Sequence, residues 1–596
     1  MLLGPKRLTL AAASLLTSLL PSLLPATPAP AAPSSLPVSA FPSPGSHFVS
    51  PKGQIAFRGL SPAQLGSIAV FGSTSGAHAG RVLADSDNAG GSFIPNRAFN
   101  AGELVTVSTS LNLVGGIGGR FQFRVATPAG PNRYAPLPPE PRVRGDVLRF
   151  HSRPDLAPAA VKVVKRSRTA PGDIFVAPQQ GPVQDGPMIL GPGGGLIWFK
   201  RIPPRDWATD FRVQQYQGKP VLTWWQGLPS SGVGVGEDVI SDAAYHETAV
   251  VRAANGLSAD LHEFQLTPQG TALITAYYPV YADASAVRGA SKHEIVLDSV
   301  VQEIDVPTGL VLFQWDSLDH VPVTDGYAPP PLTTRSRFDY FHVNSVDQDR
   351  DGNLVVSARN TWAAYKLDHR TGATIWQLGG KHSSFKLGRS VAFAFQHDVR
   401  IRSGADGLVT LFDDGAGPPS VHRQSRGLTL RLDLVHRTAT HVAEQQHSPA
   451  LLANFEGNVQ QLPGGDEFVG WGQQPYWSEF NSRRQMIFDA RFVAQNSSYR
   501  AYRFPWSGTP QAPPAIAASS RGRATIVYAS WNGATSVAFW RVLGGSSSNA
   551  LRSVATVHKR GFETTISLGA RRYVAVQALD RSGHRLGQSS TVRAQR

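Results

Sequence analysis

The sequence predicts an all-β protein, and three observations carry that prediction. Among its 596 residues are 58 glycines and 45 prolines, which interrupt the chain too often for long helices. Val, Ile, Phe and Trp gather in short runs bounded by Gly, Asp, Asn or Pro turns. Strand–turn–strand segments then recur through the middle of the chain at a regular interval. With 41% hydrophobic and 17% charged residues the chain is globular rather than disordered. Its length exceeds what a single core organises, so several domains are expected.

The first element is not a fold element. Lys6 and Arg7 precede an apolar run from Leu8 to Leu24, and Ala29-Pro30-Ala31 supplies an A-x-A site, the layout of a secretory signal peptide over residues 1–31. Pro21 and Pro25 interrupt the run, which is also short for a bilayer, so cleavage and secretion are expected rather than stable membrane insertion. The chain contains no cysteine, which excludes disulfides, cysteine nucleophiles and thiolate metal sites. A net charge of +15 comes mostly from scattered arginines, not from basic tracts interleaved with aromatics, so nucleic acid is not an expected partner. The charge forms a solvated basic surface or a field that draws in small anions.

Residues 36–130 carry short alternating runs (GQIAFRG, SIAVFG, ELVTVSTSLNL, RFQFRVATP), as a β-sandwich requires. Next come the repeats. HEFQLTPQGTALITAY from His262, HVNSVDQDRDGNLVVSAR from His342, HDVRIRSGADGLVTLFDD from His397 and NVQQLPGGDEFVGWG from Asn458 each read as a β-hairpin. GPMILGPGGGLIWFKR from Gly186 and FRVQQYQGKPVLTWWQG from Phe211 share the pattern without the leading histidine, making six. A second unit alternates with them, in which Asp305, Asp368 and Asp433 end a strand before a turn. Two hairpins make a four-stranded sheet, and its recurrence predicts a six-bladed β-propeller over residues 174–506.

In a propeller the innermost strands line a central channel. On that geometry His262, His342 and His397, each heading the first strand of its repeat, converge at one mouth. Arg359, ending the strand paired with the one that His342 begins, returns there. Other readings stand beside this one: a histidine at a strand start also caps turns, and Arg359 could pair with Asp413 or Asp414. Asp347, Asp349 and Asp351 before Gly352 have the spacing of a calcium loop, but Ala358 stands where its last ligand would be, which favours a plain turn. The interval from Tyr278 to Tyr340 is long for two outer strands and is expected to hold a surface loop, either decoration or a lid.

HVNSVDQDRDGNLVVSAR, QHDVRI and LFDDG, with HEF upstream and TWWQG and FVGWGQQPYWSEF flanking them, resemble the arylsulfotransferase family of exported bacterial enzymes. The resemblance implies a propeller preceded by a small β-sandwich. It also implies transfer of a sulfuryl group from an aryl sulfate to another phenol, with no nucleotide sulfate donor and no cofactor or metal. Carried over by position, His262, His342, His397 and Arg359 form the catalytic set, with His397 falling where the transiently sulfated histidine comes in chain order. The family's characteristic disulfide cannot form here. The residue types suit the chemistry: an imidazole nucleophile, donors on the sulfuryl oxygens, and the planar, permanently charged fork of Arg359.

From about residue 511 the runs RATIVYASWNGATSVAFWRVL, TVHKRGFETTISL and RRYVAVQALD resemble a fibronectin type III domain over residues 511–596, joined by PQAPPA as a linker. Two other functions fit parts of the pattern. A metal-dependent hydrolase or lactonase would use the three histidines as ligands. A non-catalytic extracellular binding propeller would use the aromatics and the C-terminal module. Donor, acceptor and oligomeric state are not written in the sequence.

Overall fold

The structure is a computed structural model that describes residues 37–130, 141–181, 184–230, 232–333, 336–388, 390–402 and 407–595. The expected signal peptide lies outside these residues. The protein is all-β, with 48% of it in strands and 2% in helix. Among the described residues no helix is long and apolar enough to cross a membrane.

From Asp173 to Phe504 the fold is a propeller-like succession of antiparallel meanders. Their first strands include Trp207–Tyr216, Ala259–Leu266, Val343–Gln348, His397–Ile401 and Asn458–Gln461. Each of the first four lies against the one that follows it. An inner strand has one edge without a ladder partner, and its N–H groups need acceptors. Side chains of the preceding meander supply them: Gln214 accepts from the Leu266 N–H at 2.9 Å, Ser345 from Val399 at 3.0 Å, Asp347 from Ile401 at 2.8 Å and Gln460 from Arg503 at 2.7 Å. This recurring bond explains why polar residues occupy strands that face the interior.

The two ends of the region are interlocked. Tyr502–Phe504, its last strand, pairs with Asp173–Val176, its first, while Val161–Arg166 adds to the outer edge of the last meander at Met486–Phe492. One consequence departs from the sequence reading. The hairpin from Gly186 is not equivalent to the other five, because Met188–Leu190 and Leu196–Phe199 are outer strands and Asp173–Val176 and Tyr502–Phe504 lie inside them. The turns are as the sequence suggests. Gly352 adopts φ +81° and closes the hairpin on the Asp349 carbonyl at 2.9 Å, and Asp349 and Asp351 both pair with Lys366.

Upstream, two four-stranded sheets enclose one core containing Phe57, Val105, Val107 and Phe123. They lean on the meander that begins at Ala259. Phe41 meets Phe313 with ring centroids 5.0 Å apart, and Ser86 donates to Asp305 from both its N–H (2.8 Å) and its hydroxyl (2.6 Å). Downstream, sheets built on Ala515–Arg521 and Phe539–Gly545 enclose Val527, Trp540, Ile566 and Val576. This C-terminal unit is docked rather than tethered. His151 stacks on Tyr528 at 3.9 Å, Phe562 packs on Phe150 at 4.4 Å, and Asn532 exchanges hydrogen bonds with the Phe199 backbone at 3.0 and 2.9 Å.

A chain ending at residue 510 would expose Phe150, Phe199 and Tyr245. Losing this packing should destabilise the remainder by about 2–5 kcal/mol. Thermal melts of the truncated and full-length proteins should differ by several degrees, whereas equal melting points would mean that the docking contributes nothing.

Candidate functional site

A cavity of about 440 Å³ opens at the mouth formed by the first strands, and His262, His342, Arg359 and His397 all line it. They arrive there by different routes. His262 is inside the strand Ala259–Leu266, His397 begins the strand His397–Ile401, and His342 precedes Val343–Gln348 with a left-handed φ of +60°. The repeat pattern in the sequence put all three at equivalent strand starts, and the structure corrects this. Register shifts between Ala259 and Phe264, Val343 and Ser345, and His397 and Arg400 let different numbers of residues reach the same mouth. The turn at His342 directs its carbonyl to the Arg359 N–H, which it accepts at 2.9 Å, and this fixes the two residues side by side.

Each ring is oriented by a carboxylate on Nδ1: His262 by Asp260, His342 by Asp339, and His397 by Asp414 at 2.8 Å. Nε2 is therefore the nitrogen left for chemistry. The rings of His262 and His342 meet edge to face with centroids 4.9 Å apart. All three are withdrawn from solvent, with exposures of 3%, 8% and 1% for His262, His342 and His397. Burial, reinforced by Arg359, His262 and His342, drives His397 well below the ordinary imidazole range. Burial also lowers His262, against the pull of Asp260. Asp414 is pushed well above the usual carboxylate range by burial, with Arg359 opposing. His397 is thus a neutral imidazole, and its Nδ1 carries the hydrogen because it also faces the Phe395 carbonyl at 3.1 Å. Its Nε2 lone pair faces the Glu456 N–H at 3.3 Å.

Arg359 does not pair with Asp413 or Asp414. It donates to Asn360 Oδ1 and to the Asn454 carbonyl, both at 2.8 Å, and stacks over Phe395 at 4.9 Å, while Asp413 bonds Arg426 at 2.9 Å. The buried Nε of Arg359 has no hydrogen-bond partner among the described residues. Trp207, Pro229, Leu261, Phe455 and Tyr499 give the cavity an apolar and aromatic wall. Among the described residues of the long Tyr278–Tyr340 interval, Asp339 alone reaches the cavity lining, where it orients His342.

The sequence reading did not single out Asp260, Asp339, Glu456 or Tyr499. The first two had a local signal, since a carboxylate stands two residues before His262 and three before His342. Glu456 and Tyr499 had none. They reach the cavity from the turn before Asn458–Gln461 and from the segment that leads into the closing strand. Among the described residues no group of three histidine or carboxylate side chains is arranged to hold a metal ion.

Residues 212–493 match the family model of the arylsulfotransferases (ASST), and this region, which contains all four residues, belongs to that family. The match supports aryl sulfotransferase activity in general. No curated protein matches the chain. Among solved structures, a Bacteroides caccae protein of unknown function is similar at 11% identity over 56% of this chain and 98% of its own, with a TM-score of 0.35. A Dyadobacter fermentans protein of unknown function is similar at 11% over 63% and 96%, with a TM-score of 0.31. A catalytically inactive virginiamycin B lyase from Staphylococcus aureus, with quinupristin, is similar at 9% over 63% and 96%, with a TM-score of 0.26. Likenesses this distant carry no argument.

The lowered pKa of His397 gives a signed expectation. An unfolded chain takes up protons at this residue near the ordinary value of 6.5, before the folded protein does, so His397 withdraws stability as pH falls through 6.5. In ¹⁵N spectra of the native protein, His397 should remain the neutral Nδ1–H tautomer at pH 6. A ring already protonated there would contradict the assigned electrostatics.

Proposed function

We propose that this protein moves a sulfuryl group from a phenolic sulfate ester to another phenol through a sulfated His397, without a nucleotide sulfate donor. The observation that carries the reading is the set of three carboxylate-oriented imidazoles and one guanidinium around a single buried cavity with an aromatic wall. His397 Nε2 attacks sulfur, the N–S bond forms, and the S–O bond to the donor breaks with its electron pair leaving on the phenolic oxygen. An acceptor phenol then attacks the same sulfur, loses its proton and releases His397. Arg359 balances charge on the sulfuryl oxygens, and His262 and His342 contribute ring nitrogens beside them. Because one phenol must leave before the other reacts, the kinetics are ping-pong.

The framework in this reading is a six-bladed propeller carrying an N-terminal β-sandwich and a C-terminal fibronectin type III-like sandwich. The inner-strand contacts and the interlocked ends support a closed ring of blades. Residues 1–31 are read as an export signal, so the enzyme works outside the cytoplasm on small aryl sulfates.

A chromogenic aryl sulfate should release its phenolate much faster when a second phenol is present, and chelators should not affect the rate. Equal rates with and without acceptor would indicate a sulfatase, and loss of activity restored by one divalent metal would indicate the hydrolase. His397→Ala should show neither turnover nor a single-turnover burst. Arg359→Lys keeps charge but loses the planar fork, so it should retain a burst slowed by about 2–4 kcal/mol of lost transition-state stabilisation. Mass spectrometry after mixing with donor should place one sulfuryl group on the peptide bearing His397. Sulfation elsewhere, with His397→Ala still competent, would reassign the nucleophile.

A further inference from the structure

Sulfuryl transfer between phenols moves two protons, and His262, His397, Arg359 and Tyr499 do not carry them. His262 and His397 are neutral with Nδ1 bonded to a carboxylate, so their Nε2 atoms have no hydrogen to give. Arg359 does not release a proton at working pH. The Tyr499 hydroxyl is committed to the Asn344 carbonyl at 3.1 Å.

Of the other ionisable side chains that line the cavity, His342 and Asp339 are bonded to each other, and the third is Glu456. Glu456 is 7% exposed, and its Oε2 has no hydrogen-bond partner among the described residues. Its position is fixed with care. The Asn454 carbonyl is held by Arg359, the Phe455 carbonyl accepts from the Gln473 N–H at 3.1 Å, and the Gly457 N–H donates to the Tyr499 carbonyl at 3.0 Å. Glu456 itself takes a left-handed φ of +71°, which a non-glycine residue adopts only under strain. Gly457, at φ +105°, cannot be replaced without a Cβ driven to 2.4 Å from Phe412. The turn therefore holds a strained backbone at a residue with one unpartnered carboxyl oxygen, whose own N–H lies 3.3 Å from His397 Nε2.

We propose that Glu456, resting on the sulfuryl-transfer reading above, is the proton carrier of the reaction. As the donor S–O bond breaks, the Glu456 carboxylic acid gives its proton to the departing phenolic oxygen. As the acceptor attacks sulfur on His397, the carboxylate takes the acceptor's proton and is restored. The charged and titratable groups around it are His397, Arg359, Asp414 and Tyr499, with Ser497, Gln179 and Gln180 as neutral neighbours. Burial raises the Glu456 carboxyl to about 8, opposed by a hydrogen bond from Ser497, so it holds its proton at neutral pH.

The test compares single-turnover bursts from donors with good and poor leaving groups, 4-nitrophenyl sulfate and phenyl sulfate. Glu456→Gln should slow release from phenyl sulfate ~100-fold or more, the size of a lost general acid, and slow 4-nitrophenyl sulfate far less. The fall in the phenyl sulfate rate as pH rises through about 8 should disappear in that variant. Equal losses on both donors with the alkaline fall retained would overturn the proposal. Disappearance of the fall in His342→Gln but not in Glu456→Gln would do the same. If Glu456→Gln does not fold, the unaltered protein decides: its burst rate should grow more sensitive to leaving-group basicity as pH rises through about 8, and an unchanged sensitivity overturns the proposal. No burst from any aryl sulfate would overturn the transfer reading and this proposal with it.

Discussion

Glu263 adjoins His262 and has no exposed surface, and the neighbouring strands are arranged to balance its charge. Arg212 donates to one carboxylate oxygen at 2.7 Å and Arg400 to the other at 2.6 Å, while Arg500 reaches both at 3.3 Å. Although burial pushes it upward, the guanidinium groups of Arg400, Arg500 and Arg212 hold Glu263 well below the usual carboxylate range. Asp210 and Asp398 complete the set at 2.8 Å from Arg500 and Arg400, each on a left-handed backbone (φ +51° and +54°). A buried network of this kind repays its desolvation only when every member is satisfied, and removing one partner costs about 3–5 kcal/mol. Its members come from four separate strands or turns, so the network fixes the angle at which those strands meet. The cavity with His262, His342 and His397 lies next to this network and inherits its rigidity.

Rigidity and dryness together set the chemistry. Free imidazoles in water exchange protons near pH 6.5, and each would spend part of its time as a cation that cannot attack sulfur. Here desolvation removes that state from His397, and the nearby positive charge of Arg359 acts in the same direction. On the sulfuryl-transfer reading, the guanidinium that helps burial keep His397 neutral would also attract an anionic ester, so one charge would serve two ends. Asp414 adds geometric control, since an imidazole held through Nδ1 presents Nε2 at a fixed position.

Much of this was legible in the sequence, for identifiable reasons. Hairpins announce themselves through Gly and Asp turns, and the three histidines and Arg359 lie within segments whose pattern is local. What the sequence concealed was contact between distant segments. The bulges that offset His262, His342 and His397 are not visible as a residue signature, so equal strand starts were expected where the structure has three different ones. Tyr502–Phe504 supplies an inner strand to the meander at Asp173, more than three hundred residues earlier, and no periodicity reveals that exchange. Glu456 sits in a turn with unremarkable composition. The linker before Ala515 suggested an independent module because proline-rich composition does not report that Phe562 and Tyr528 pack on Phe150 and His151.

The interlocked ends also impose an order on biosynthesis. His262, His342, Arg359 and His397 are all synthesised before Tyr499 and Arg500, which complete the cavity wall and the network at Glu263 just ahead of the closing strand. Until that last segment has been made and has paired with Asp173–Val176, Glu263 lacks one of its three arginines and the channel has an open seam. A chain that stops before Tyr499 therefore holds His262, His342, Arg359 and His397 without the segment that completes the cavity wall. Enclosure of these side chains is a property of the completed ring of strands alone, and on the sulfuryl-transfer reading a copy cut short of Tyr499 would be silent rather than leave His397 reactive and open to water.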